Sequence, residues 1–200
     1  MTPSRIALAL LTAGLMAGVA PPPAAHAADE LVLSGRAQTG ADARDVRFTF
    51  GCTPKSGANF TGVLSVVLTV PEYEQLSPVF PFETFEGPDA DAGKLTSLEA
   101  TGAGSPARDI FEVAGSAGID ADKPFNFELD AAMRGEVLRL RAVAKVLRRL
   151  VAGPGQLVWR QANPHPGGVA LVATLPVTPA DAARLQSLLG PCLAVAGRGG

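Results

Sequence analysis

Three groups of side chains in this 200-residue chain are of kinds that carry chemistry: two cysteines, a histidine in a proline-flanked turn, and a run of acids. Cys52 and Cys192 are the only thiols. A metal centre needs more ligands than these two and His165 supply, and a redox pair is marked by a C-x-x-C spacing that is absent. What remains is a structural disulfide, the usual fate of paired cysteines in an oxidising compartment. It would close about 141 residues, and chain entropy puts the stabilisation for such a loop at roughly 5 kcal/mol.

His165 lies between Pro164 and Pro166 and reads as an exposed turn residue. Nucleophilic catalysis needs a base beside the nucleophile and a third group to orient it. No G-x-S-x-G surrounds a serine; "GAGSPA" around Ser105 lacks the final glycine. Glu83, Glu86, Asp89 and Asp91 are the densest acids, and paired carboxylates can hydrolyse a glycosidic bond, but no spacing here selects a pair. Calcium suits the oxygens of "EGPDADAG", yet Gly93 stands at the third ligand position of an EF-hand and no matching glutamate follows. Neither a phosphate loop nor a dinucleotide fingerprint occurs, so no cofactor and no metal are expected. Asn59-Phe60-Thr61 matches the N-glycosylation pattern, which matters only where the producing cell glycosylates exported chains.

The N-terminal segment gives the compartment. Arg5 precedes an apolar run from Ile6 to Ala20, and Ala25-His26-Ala27 places small residues as a secretory cleavage site requires. A signal peptide over residues 1–27, cleaved after Ala27, is therefore expected, with a periplasmic or secreted product. The run is shorter than the roughly 20 residues that span a bilayer, and Pro21-Pro22-Pro23 interrupts it. No cysteine follows for lipid attachment. Losing Arg5 takes the basic residues from 17 to 16 against 19 acidic, a balance unsuited to general nucleic-acid binding. The charge is uneven. Thirteen acids lie between Glu72 and Asp130 beside Lys94, Arg108 and Lys123, whereas six basic residues between Arg134 and Arg149 face only Glu136. Such blocks pair internally, stay solvated, or present two electrostatic faces to a partner.

The elements that must position these groups are mostly strands. "ELVLSGR" alternates weakly; in "RDVRFTFGC" Val46, Phe48 and Phe50 face one way and Arg47 and Thr49 the other. Val63 to Val70 reads as a buried strand ending at Pro71. "KLTSLEATG", "RDIFEVAGSAG", "PFNFELDA", "QLVWRQA" and "GGVALVATLPV" follow the same style. Residues 71–93 mix prolines, acids and aromatics without a period, and long excursions of this kind are often functional.

Two helices are expected in the C-terminal third. The first runs from Ala142 to Ala152, with Leu140, Val143, Ala144, Leu147, Leu150 and Val151 as its apolar stripe. Glu136 to Arg141 fits a helix or a strand equally. The second starts at Thr178 as N-cap, with Pro179 in its first turn, and stops at Gly190-Pro191. The expectation is one mainly β domain over residues 28–193, a two-layer sandwich-like arrangement with these two helices, and a flexible tail from 194 to 200.

Two features suggest contact with another macromolecule. Tyr73, Phe80, Phe82 and Phe85 are apt anchors if exposed, with core burial the stronger alternative for Phe80 and Phe82. Arg141, Lys145, Arg148 and Arg149 share a cationic helix face that could meet an acidic protein surface or, less favoured, anionic lipid. The order of "AKVLRRLVAG", a strand, a second strand ending "LPV" and a helix closing near Cys192 resembles the end of the periplasmic proteins of the invasion-associated locus B type. That resemblance covers about the last third of the chain and implies a small exported β-rich domain linked to the cell envelope, with no catalytic residues to transfer. The function expected is thus a non-enzymatic exported domain that binds a protein or envelope component. The alternative is a small hydrolase using the acids of residues 83–91.

Overall fold

Burial alternates along nearly every strand, so one face of each carries the core and the other meets solvent. The structure, a computed structural model, describes residues 30–54, 61–87, 90, 93–102, 104–119 and 122–198. The expected signal peptide, Asn59, Phe60, Asp89 and Asp91 lie outside the described residues. The strands are β1 (Glu30–Thr39), β2 (Asp42–Thr53), β3 (Val63–Val70), β4 (Thr96–Thr101), β5 (Ala107–Phe111), β6 (Ala114–Ala117), β7 (Phe125–Ala132), β8 (Gly155–Gln161) and β9 (Leu171–Val177). Two helices, α1 (Val137–Val151) and α2 (Pro179–Arg198), join them. β1 and β2 meet in a two-residue turn in which Gly40, at φ 59°, supplies the positive dihedral that a hairpin turn requires.

The strands are not divided between two sheets, as a sandwich would require. All nine hydrogen-bond in one antiparallel sheet in the order β5-β4-β8-β9-β1-β2-β3-β7-β6. Its two edge strands are consecutive in the chain, separated only by Glu112 and Val113. Laid flat, eight strand spacings would hold the edges about 38 Å apart, whereas three Cα steps reach at most about 11 Å. The sheet is therefore curled into a half-barrel. With eight antiparallel steps between them, β5 and β6 also run in the same direction. They are two halves of one extended segment, the first paired to β4 and the second to β7.

The concave side holds the core. Phe48, Phe50, Phe125, Phe127, Trp159 and the inward leucines of β3 and β9 are fully buried there. Helix α2 packs on β1, β2, β3 and β9, while α1 packs on β4, β5, β7 and β8, and the helices pack on each other. Helix α1 begins at Val137, five residues before the expected start, which settles Glu136 to Arg141 largely as helix. Leu140, Val143, Ala144, Val146, Leu147 and Leu150 are buried at helical spacing, and this burial decides between the two periods the sequence offers.

The free edges left by the shared segment are covered. Arg139 donates to the carbonyl of Asp130 at the end of β7 and to that of Glu112 (2.8 Å) between β5 and β6. Lys145 donates to the Arg108 carbonyl of β5 at 3.1 Å. On the β6 side Glu86 bridges to Gly115, and its carboxylate accepts the Ala117 N–H at 3.1 Å. Unpaired edge groups invite pairing with other chains, so these caps protect as well as stabilise.

Helix α2 corrects the expected stop. Thr178 and Asp181 cap it reciprocally: the Asp181 N–H donates to the Thr178 hydroxyl, and the Thr178 N–H and hydroxyl donate to the Asp181 carboxylate. Gly190 and Pro191 do not end it; it continues to Arg198. A proline inside a helix costs about 3 kcal/mol or more through the missing N–H and the clash with the preceding turn. Opposing that cost are the Cys52–Cys192 bond (Cα–Cα 5.9 Å), burial of Leu193 and Ala196, and Arg148 donating to the Leu193 carbonyl at 2.8 Å. Residues 194–198, expected as a tail, are thus held in the helix.

Replacing both cysteines by alanine is expected to lower unfolding free energy by about 2–5 kcal/mol in urea denaturation of oxidised protein; an unchanged midpoint would remove the staple from the account. Arg139→Ala is expected to cost about 2 kcal/mol, because two carbonyls lose one charged donor; a loss no larger than that of Arg134→Ala, an exposed neighbour, would contradict the capping role.

Candidate functional site

Helix α1 carries five basic residues and no acidic one. At 3.6 residues per turn, Leu138, Arg141, Ala142, Lys145, Arg148 and Arg149 fall within an arc of about 120°, opposite the buried stripe. The start of β5 and the C-terminal half of α1 form a cleft of about 370 Å³ lined by Pro106, Ala107, Lys145, Arg148 and Arg149. Gly104, at φ 91°, lets the β4–β5 turn approach Arg149, where a Cβ would sit 2.9 Å from a guanidinium nitrogen. Asp109 is a counter-charge 3.4 Å from Lys145, in a largely solvated pair of small energetic weight. Arg141, exposed one turn earlier, makes no ion pair among the described residues. Three of the four expected cationic contacts therefore line one cleft, and the fourth extends the same face.

The same side of α1 extends toward its N-terminus beyond the Lys145 contact with Arg108 and Asp109. A second depression of about 250 Å³ is lined by Lys94, Ile110, Phe111, Glu112, Leu138, Arg139 and Ala142. Leu138 is 81% exposed, Ile110 49% and the adjoining Val137 44%. Leu138 is hidden in the sequence because residues 136–141 fit a helix or a strand equally. Extending the helical wheel by one turn places it on the cationic face.

The aromatic excursion is placed otherwise. Phe80, Phe82 and Phe85 are fully buried and pack with Phe125 and Phe127, their ring centroids 4.9–6.3 Å apart. Tyr73 is half-buried, 5.2 Å from both Phe82 and Phe125. These rings close one end of the core, as the stronger alternative for Phe80 and Phe82 has it, and Phe85 is likewise unavailable as an exposed anchor. Residues 71–93 lack a period because their aromatics enter the core from short 3₁₀ turns at Tyr73–Gln75 and Phe82–Phe85, not from a regular element.

Glu86 is committed to the β6 edge and Glu83 is exposed, while Asp89 and Asp91 lie outside the described residues. His165 is exposed, and its backbone closes the turn with Asn163 and Gly168. Among the described residues no acid, serine or cysteine hydrogen-bonds its ring. Comparison with protein-family models, curated proteins and solved structures finds no match to this chain.

One acid beside α1 has a perturbed titration. Partial desolvation, then Glu128 and Glu136, raise the Asp130 carboxyl above its ordinary value of 3.8, and Arg139 opposes them. The folded protein thus takes up this proton more readily than the unfolded chain. The resulting stabilisation is full below pH 3.8 and is lost as pH rises through the raised value. Asp130→Asn is accordingly expected to raise the urea midpoint relative to the parent at pH 7, with the gain vanishing near pH 3. A gain that is constant with pH would show that charge at this position is not the cause.

Proposed function

We propose that the protein is an exported, non-enzymatic domain, stapled by Cys52–Cys192, that binds an anionic protein or envelope component through the outer face of α1. The observation that carries this reading is the cleft of about 370 Å³ between β5 and α1, lined by three cations and no acid. Positive clefts with low-dielectric walls concentrate anions and steer their approach. Burial of Phe80, Phe82 and Phe85 favours the cationic face over the aromatic excursion as the contact surface. Export rests on the N-terminal segment, with cleavage after Ala27, and the disulfide is in keeping with an oxidising compartment. The resemblance of the C-terminal third to the invasion-associated locus B type supports an envelope-linked role in the same direction.

The test uses protein purified from the exported fraction, its N-terminus read by mass spectrometry. Titrated with a soluble polyanion such as dextran sulfate, it is expected to bind at low salt and to release as ionic strength rises. Lys145→Gln with Arg148→Gln is expected to weaken binding at least tenfold, and Lys123→Gln, on the far loop, to leave it unchanged. Equal weakening by both substitutions would reduce the effect to net charge and remove α1 as the site.

A further inference from the structure

The geometry points to the surface of an anionic lipid bilayer as the partner of the α1 face; this assignment rests on the cationic binding reading above and narrows it. Two features coincide on one side of the molecule. Cations Arg141, Lys145 and Arg148 are exposed on α1, and Arg149 lines the same cleft. Toward the N-terminal end of α1, Leu138 and Ile110 are exposed in the second depression, where Lys94 and Arg139 outnumber the one acid, Glu112, and the exposed Val137 precedes Leu138 in the helix.

Helix α1 and β5 run antiparallel, because Arg139 reaches Glu112 at one end while Arg148 and Arg149 meet Pro106 and Ala107 at the other. Their shared length is about 17 Å from the rise per residue of either element. A peptide strand adding to β5 would need the carbonyls of that edge. Those of Arg108 and Glu112 already accept Lys145 and Arg139. A lipid surface needs none of them. It offers phosphates to the cations and acyl chains to Leu138 and Ile110, the charge and apolar complement of this face.

The buried stripe of α1 belongs to the core, so the helix does not embed along its length. Contact is peripheral: cations lie at headgroup level and one or two apolar side chains reach past them. Each cation near an anionic surface contributes about a fivefold gain in partitioning, and salt screens it.

Sedimentation with vesicles tests the assignment, using phosphatidylcholine alone or with about one-third phosphatidylglycerol. The exported protein is expected to partition to the anionic vesicles at about 0.05 M salt and to release at about 0.5 M. Lys145→Gln with Arg148→Gln is expected to reduce partitioning about twentyfold. Leu138→Ser with Ile110→Ser is expected to reduce it about tenfold while leaving dextran sulfate binding and the thermal midpoint unchanged. Dextran sulfate binding without vesicle binding would overturn the lipid assignment and leave an acidic macromolecule as the partner. Equal partitioning to both vesicle types, or full retention by the serine variant, would also overturn it. Loss of both vesicle and polyanion binding in the parent would remove the cationic reading itself.

Discussion

One stretch of extended backbone, residues 107–117, is shared by the two edges of the sheet, and the rest of the fold answers to that constraint. Its first half pairs with β4 and its second with β7, at opposite ends of the strand order. Because the chain between the halves is so short, the sheet has no flat alternative. Curling brings the inward side chains of β2, β3, β7 and β8 around one core and leaves a split where β5 and the end of β7 fail to pair.

Helix α1 fills it. Its apolar stripe completes the core, and Arg139 and Lys145 serve backbone carbonyls on both sides of the opening. A helix in this role must be apolar inward and cationic along its flanks, and a cationic outer face follows at little further cost. A helix that also closes the sheet is held rigid, because it cannot move without exposing core. Helix α2 backs α1 from the other side and is bound to β2 through Cys52–Cys192. The disulfide thus supports α1 through one intervening helix.

What was legible in the sequence was what local chemistry determines. Val63–Val70 is a strand with the bounds its apolar run announces, and Thr178 with Asp181 starts α2 where a cap and an N-terminal acid say it should. The pairing of two lone cysteines follows from their number and the expected compartment. The residues Arg108 to Gly118 read as one strand, and the backbone is indeed nearly continuous; that its halves pair with different neighbours depends on partners far away in sequence. Sheet closure was invisible for the same reason. "EVLRLRA" satisfies both periods, and only burial of Leu140 and Val143 against the sheet selects the helix. Pro191 reads as a stop and would be one in isolation; the covalent anchor one residue later overrides it. Glu86 looked like a free acid because the edge it caps is formed by residues some thirty positions on.

Helix α1 and the shared segment form one closing unit. Native-state hydrogen exchange in rising denaturant measures it directly, since amides that open together share one opening free energy and one denaturant dependence. Amides of β5, β6 and α1 are predicted to merge into a single opening isotherm, below or equal to that of β2 and β3. If either edge strand opens at lower denaturant while α1 stays protected, the helix is not what holds the two edges together and the account fails.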